Sequence, residues 1–173
     1  MNYFDFFGLE PKFQIDLKTL KLLYYEKMKQ FHPDMSIDAS PSEQEETLRL
    51  SALNNDAYKV LKDYHSRLKY ILDTFYPGGE TPSKSLPQMF LMDMMDMNEE
   101  LMELKMDYEP EIAATLKQQL STQLEKMEQE ITSQVIDKKV SDINLSIFDS
   151  INEYLLKRNY LNRAIQNIEN EAD

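Results

Sequence analysis

His32 and His65 are the only imidazoles among 173 residues, and the chain has no cysteine. That removes disulfides, thiolate metal sites, a cysteine nucleophile and any cysteine-held iron–sulfur cluster bound by this chain alone. A carboxylate-bridged di-iron bundle draws on Glu-x-x-His pairs, yet Lys29 and Lys62 stand three residues before the two histidines. Gly8, Gly78 and Gly79 are the whole glycine supply, which leaves no phosphate-cradling loop. Serine, histidine and aspartate are all present, but no nucleophile-elbow pattern surrounds any serine. What remains is His32-Pro33-Asp34, an imidazole and a carboxylate held either side of a proline. Taken alone, it reads as a helix stop, His32 capping the last carbonyls and Asp34 closing a turn, or as a recognition element. His65 reads as a surface residue on a helix.

The elements around the tripeptide are helical. Leu17, Leu20, Tyr24, Met28 and Phe31 recur at steps of three and four, which predicts an amphipathic helix over 16–31 with Asp16 as N-cap. Pro33 stops it, since a residue before proline is pushed out of the α region. Lys18, Lys21, Lys27 and Lys29 ride on this helix against only Asp16 and Glu26. After a polar loop, Ser40 caps a second long helix whose first turn holds Pro41 and Glu43. Its apolar stripe is read as Leu48, Ala52, Asn55, Tyr58 and Leu61, and a further helix carries Leu68, Ile71, Leu72 and Phe75. Phe4, Phe6 and Phe7 are expected to pack a short first helix onto this hairpin.

Residues 77–87 hold three Pro, two Gly and two Ser, a linker composition that cannot continue a helix. Beyond it three helices are predicted at 88–107, 110–138 and 142–170, with Pro110 at a first helical position. Short joints between long helices suggest an antiparallel three-helix bundle.

Charge narrows the partners. Lys and Arg number 19 and Asp and Glu 31, a net of −12. Residues 1–76 carry 10 basic and 12 acidic groups; residues 77–173 carry 9 and 19. A chain this acidic is a poor ligand for nucleic acid or an anionic membrane. With no basic and apolar leader and no long apolar run, a soluble, cytoplasmic protein is expected.

The second lobe opens with an unusual helix. Phe90, Met94, Met97, Leu101, Leu104 and Tyr108 form the stripe of a bundle core. Leu91, Met92, Met95, Met102 and Met106 are left over on the flank, interleaved with Asp96, Glu99 and Glu103. Seven of the 11 Met lie between 89 and 106. Either a middle helix buries two faces and Met fills its gaps, or an exposed, adaptable apolar strip with an acidic border grips a basic partner.

The tripeptide in a loop between two helices, with a lysine-bearing helix before it, resembles the J domain of DnaJ-type co-chaperones. Asn2-Tyr3-Phe4-Asp5-Phe6-Phe7-Gly8-Leu9, then Pro11, Phe13, Ile15 and Asp16, is similar to the start of the HscB-type co-chaperone family of iron–sulfur cluster assembly. Asn55-Asp56-Ala57-Tyr58, Leu61-Lys62, Arg67 and Tyr70-Ile71-Leu72 resemble its third and fourth helices, and Phe90 to Leu101 its signature after the linker. The likeness spans both lobes and thins between about 107 and 153. Tyr64-His65-Ser66-Arg67-Leu68 departs from the family's Pro-Leu-x-Arg-Ala, which bears on where the fourth helix starts. The cysteine-bearing N-terminal extension of eukaryotic relatives has no counterpart here, so the likeness is to the bacterial type.

This resemblance implies an all-α, L-shaped co-chaperone with a J domain at 1–76, a linker at 77–87 and a client-binding bundle at 88–173. It implies that His32, Pro33, Asp34, Lys21, Tyr25, Lys27 and Lys29 engage a DnaK/HscA-type ATPase. It further implies that Leu91, Met92, Met95, Asp96, Glu99, Glu103 and, on the last helix, Tyr160 contact an IscU-type iron–sulfur scaffold protein. Such a chain stimulates ATP hydrolysis and delivers the scaffold, performs no covalent chemistry and needs no cofactor or metal. Two alternatives stand beside it: a J-domain protein with an unrelated client, and an acidic helical adaptor in which the tripeptide is only a turn.

Overall fold

A computed structural model describes residues 1–32, 40–77 and 82–171. The protein is all-α, with eight α-helices among the described residues. Two compact units emerge: Met1–Phe75 with Ile136–Ile143, and Tyr76–Val135 with Asn144–Asp173.

The first unit holds α1 (Tyr3–Phe7), α2 (Leu17–Gln30), α3 (Pro41–Lys62) and α4 (Tyr64–Phe75). Their starts are set by local chemistry. Asn2 and Asp5 form a capping box on α1, Asp16 accepts from the Lys18 N–H at 3.0 Å, and Ser40 with Glu43 boxes the start of α3. Gly8 ends α1 at φ 66°, a left-handed conformation that strains any residue with a Cβ. Phe4, Phe6, Phe7, Phe13, Leu20 and Leu61 are buried together with Leu68, Ile71 and Leu72 of α4, so the N-terminal phenylalanines are core as the sequence suggests. On α3 the expected stripe is displaced: Asn54, Ala57 and Leu61 face inward, while Leu48, Ala52 and Asn55 are exposed. The inward Asn54 is held by its amide, which donates to the Tyr24 carbonyl of α2 at 3.1 Å.

The start of α4 needs no proline. Asp63 supplies the cap instead, accepting from the Ser66 N–H at 2.8 Å. One turn on, Arg67 is buried. Its Nε donates to the Phe13 carbonyl at 2.9 Å and its Nη1 to the Leu61 carbonyl, a last-turn acceptor of α3 with no intrahelical donor. Burial pushes this guanidinium below its ordinary range, partly offset by Tyr64 and Asp63. Arg67→Ala should cost about 2–4 kcal/mol, because two carbonyls lose their donor and a cavity opens. Urea unfolding checks this; a loss below about 1 kcal/mol would show that water replaces the guanidinium.

The segment 136–143 belongs to this unit. Lys139 pairs with Glu10 at 2.6 Å, the Val140 N–H donates to the Pro11 carbonyl at 3.0 Å, and Val140 is buried. Hydrogen bonds from Lys139 and Lys12 hold the Glu10 carboxyl below the usual carboxylate range.

The second unit holds α5 (Gln88–Asp93), α6 (Met95–Met106), α7 (Pro110–Val135) and α8 (Leu145–Glu171). The helix expected at 88–107 is therefore two, broken at Met94, where ψ is 0°. The helices expected to reach 138 and to start at 142 stop at Val135 and begin at Leu145, where Asn144 accepts from the Ile147 N–H at 3.1 Å. The core joins Phe90, Met94 and Leu104 to Ala113, Leu116 and Leu120 of α7 and Leu161, Ala164 and Ile168 of α8.

Candidate functional site

Two exposed faces carry the residues singled out from the sequence, one in each unit. In the first, Phe31 closes α2, its N–H donating to the Lys27 carbonyl at 2.9 Å. His32 follows directly and is exposed; Pro33 and Asp34 lie outside the described residues. Lys18, Lys21, Tyr25 and Lys29 succeed one another at steps of three and four, so they share one side of α2, and all are exposed. None of these lysines is ion-paired among the described residues. The Lys21 ammonium stands 6.0 Å from the Tyr25 ring, at the limit of a cation–π contact.

Lys27 is separate from this face. It is half-buried, with its ammonium 4.5 Å from the Phe6 ring centroid and 5.7 Å from that of Phe31. It fastens α2 to α1 and adds to the positive field without lining the surface. Leu22, in contrast, lies exposed among the lysines although the sequence reading omits it. Its signal was available: with Leu20 and Tyr24 turned inward, position 22 must point out.

In the second unit the flank of the core helix is exposed. Met92 and Met95 are 57% and 58% exposed, Leu91 is exposed too, and Met94 between them is buried. Met92 lies in the last turn of one short helix and Met95 opens the next, so the strip crosses the break instead of following one continuous helix face. Asp96, Glu99 and Glu103 border it, exposed and without an ion pair among the described residues. Tyr160 reaches the same region from α8. Its hydroxyl donates to Asn98 Oδ1 at 2.7 Å, and its ring meets Phe90 edge-on at 5.5 Å. Asn98, unforeseen from the sequence, is thus the link that holds the aromatic beside the strip.

The two faces expose an apolar strip with carboxylates in one unit and a lysine row with an aromatic and a leucine in the other. Among the described residues no group of carboxylates and histidines is placed to hold a metal. No described helix is long and apolar enough to cross a membrane.

Known proteins are similar to this chain in sequence and in fold. Residues 86–169 match the family model of the HSCB C-terminal oligomerisation domain. A co-chaperone protein HscB homolog of Neisseria meningitidis serogroup A is 34% identical over 127 residues, 73% of this chain and 76% of the relative. The chain belongs to the HscB co-chaperone family. Another HscB homolog, from Vibrio atlanticus, is 34% identical over 149 residues, 80% of this chain and 86% of its own. The HscB fold extends over both units: the HscB chaperone of Vibrio cholerae superposes with a TM-score of 0.70 at 24% identity, covering 98% of this chain and 96% of that one. The human co-chaperone HscB gives 0.73 at 23% identity, covering 99% and 82%.

Proposed function

We propose that this chain stimulates ATP hydrolysis by a dedicated DnaK/HscA-type chaperone and delivers an IscU-type iron–sulfur scaffold protein to it. Residues 1–76 act as the J domain, 77–87 as linker and 88–173 as the client-binding bundle. The observation that carries this reading is the exposed strip of Leu91, Met92 and Met95 with its unpaired carboxylates. Two short helices whose core side is already filled by Phe90, Met94 and Leu104 gain nothing for folding from three more apolar residues held in water. His32 with Pro33 and Asp34, and the lysine row of Lys21 and Lys29 with Tyr25, engage the ATPase, while Lys27 supports that helix. The strip, with Asp96, Glu99, Glu103 and Tyr160, holds the scaffold. Hydrolysis then clamps the scaffold on the ATPase and favours release of its cluster. The protein works by binding alone, in the cytoplasm, without covalent chemistry of its own.

The test is a single-turnover ATPase assay of an HscA-type chaperone with this chain, the scaffold, or both. Stimulation by each and synergy between them are expected. Stimulation without scaffold binding would favour a different client, and no stimulation would sink the J-domain reading.

Salt gives a separate expectation. If the exposed lysine row steers association with an acidic patch on the ATPase, the on-rate should fall several-fold between low and physiological ionic strength, as screening shortens the reach of exposed charges to about 8 Å. Stopped-flow association measures it. An on-rate indifferent to salt would remove the electrostatic role of Lys21 and Lys29.

A further inference from the structure

Met102 and Met106 are 67% and 89% exposed, beyond the last apolar residue of the strip described above. With Met95 and Glu99 they fall at steps of four and three along α6, on the side opposite buried Leu104. Neither side chain contributes to the core of its unit. Around α6 from them, past Glu103 at the border of the strip, α6 and α7 enclose a cleft of about 660 Å³ that neither methionine lines. Its floor is Leu104, Ile112 and Leu116, and its walls carry Glu100, Glu103, Asp107, Glu109 and Glu111. No lysine or arginine lines it, and none of the five carboxylates is ion-paired among the described residues.

We infer that the client-binding face continues along α6 over Met102 and Met106 and into this cleft. Its occupant there is a segment of the same client protein that carries lysine or arginine next to an apolar side chain. Charge complementarity selects it. Five like charges around an aliphatic floor favour a cation whose stem or neighbour covers the floor, whereas a neutral or acidic segment would desolvate carboxylates with nothing to pair them. Unbranched thioethers suit a partner surface of irregular relief. The inference rests on the client reading proposed above, so the experiment must separate the two.

The IscU-type scaffold is titrated against the full chain and three variants: Met92→Ala/Met95→Ala, Met102→Ala/Met106→Ala, and Asp107→Asn/Glu109→Gln/Glu111→Gln. Melting is followed for each, and the methionine methyl resonances of the unmodified chain are followed by NMR. Alanine keeps helix propensity at exposed positions, so melting should not move. The Met102/Met106 variant should bind roughly tenfold more weakly, in the range of apolar interface anchors. The amide variant should also bind more weakly and show a flatter salt dependence. The Met102 and Met106 methyl signals should shift or broaden on adding scaffold. Wild-type affinity in the second and third variants with unmoved Met102 and Met106 signals, while the first variant is weakened, overturns this inference and leaves the client reading standing. An unchanged salt dependence in the amide variant overturns the cleft as the cation site. Unchanged affinity in all three overturns both readings.

Discussion

His32→Gln should abolish ATPase stimulation while leaving melting temperature and scaffold affinity unchanged. The residue is exposed and sits one position past the C-cap of α2, so it adds little packing, and surface changes of this kind usually move stability by no more than about 0.5 kcal/mol. Glutamine keeps a polar side chain that can donate and accept, but it lacks the ring and the imidazole nitrogens. A recognition element built on His32, Pro33 and Asp34 loses its aromatic member, whereas a plain helix stop with His32 capping the last carbonyls keeps a donor in glutamine and the stop that Pro33 supplies. The two readings of the tripeptide therefore part sharply. Circular dichroism checks the fold, and single-turnover hydrolysis by the HscA-type chaperone checks the function. A variant that stimulates as well as the parent makes the tripeptide a turn and removes the J-domain assignment. A variant that melts early would instead give His32 a structural role.

Where the chain signals its structure locally, the sequence is a sufficient guide. Asp16, Ser40 with Glu43, and Pro41 mark helix starts because each meets an orphan N–H or fixes φ within a few residues. The core stripe of Phe90, Met94 and Leu104 is equally legible, since once those positions face inward, Met92 and Met95 must face out. Other features depend on distant partners. Asn54 replaces Asn55 on the inner face of α3 because its amide finds the Tyr24 carbonyl, 30 residues away in sequence. The early end of α7 is another case. Apolar Ile136 continues the pattern, but Lys139 and Val140 are drawn to Glu10 and Pro11, a pairing no periodicity encodes. The break at Met94 has neither Gly nor Pro to announce it, and the separation of Lys27 from the lysine row comes from the Phe6 ring of another helix. Local caps and stripes are thus readable, and tertiary overrides are not.

Replacing Met92 and Met95 by alanine should weaken scaffold binding by about 2–4 kcal/mol in sum, roughly thirty- to a thousandfold, with melting almost unchanged. Each side chain is more than half exposed, so truncation leaves no cavity and forfeits little buried area. A buried methionine would cost roughly 2–5 kcal/mol of stability on the same change. The contrast is supplied by Leu120 of α7, which is 0% exposed in the core it shares with Leu161 and Ala164 of α8 and lies outside the α6–α7 cleft. Leu120→Ala should lower the melting temperature clearly, and its scaffold affinity should fall only as far as the folded fraction falls. Leu101 is half-buried against the core, so its truncation should lie between these limits. Tyr160→Phe adds a finer discriminator: it removes only the hydroxyl that donates to Asn98 Oδ1 and keeps the ring on Phe90. A small affinity loss with an unchanged fold would assign the hydroxyl to holding the aromatic beside the strip. Calorimetric titration with the scaffold and thermal melting of the four variants decide the matter. If Met92→Ala/Met95→Ala unfolds the bundle, the strip is core; if it binds scaffold like the parent, the client is gripped by some other surface.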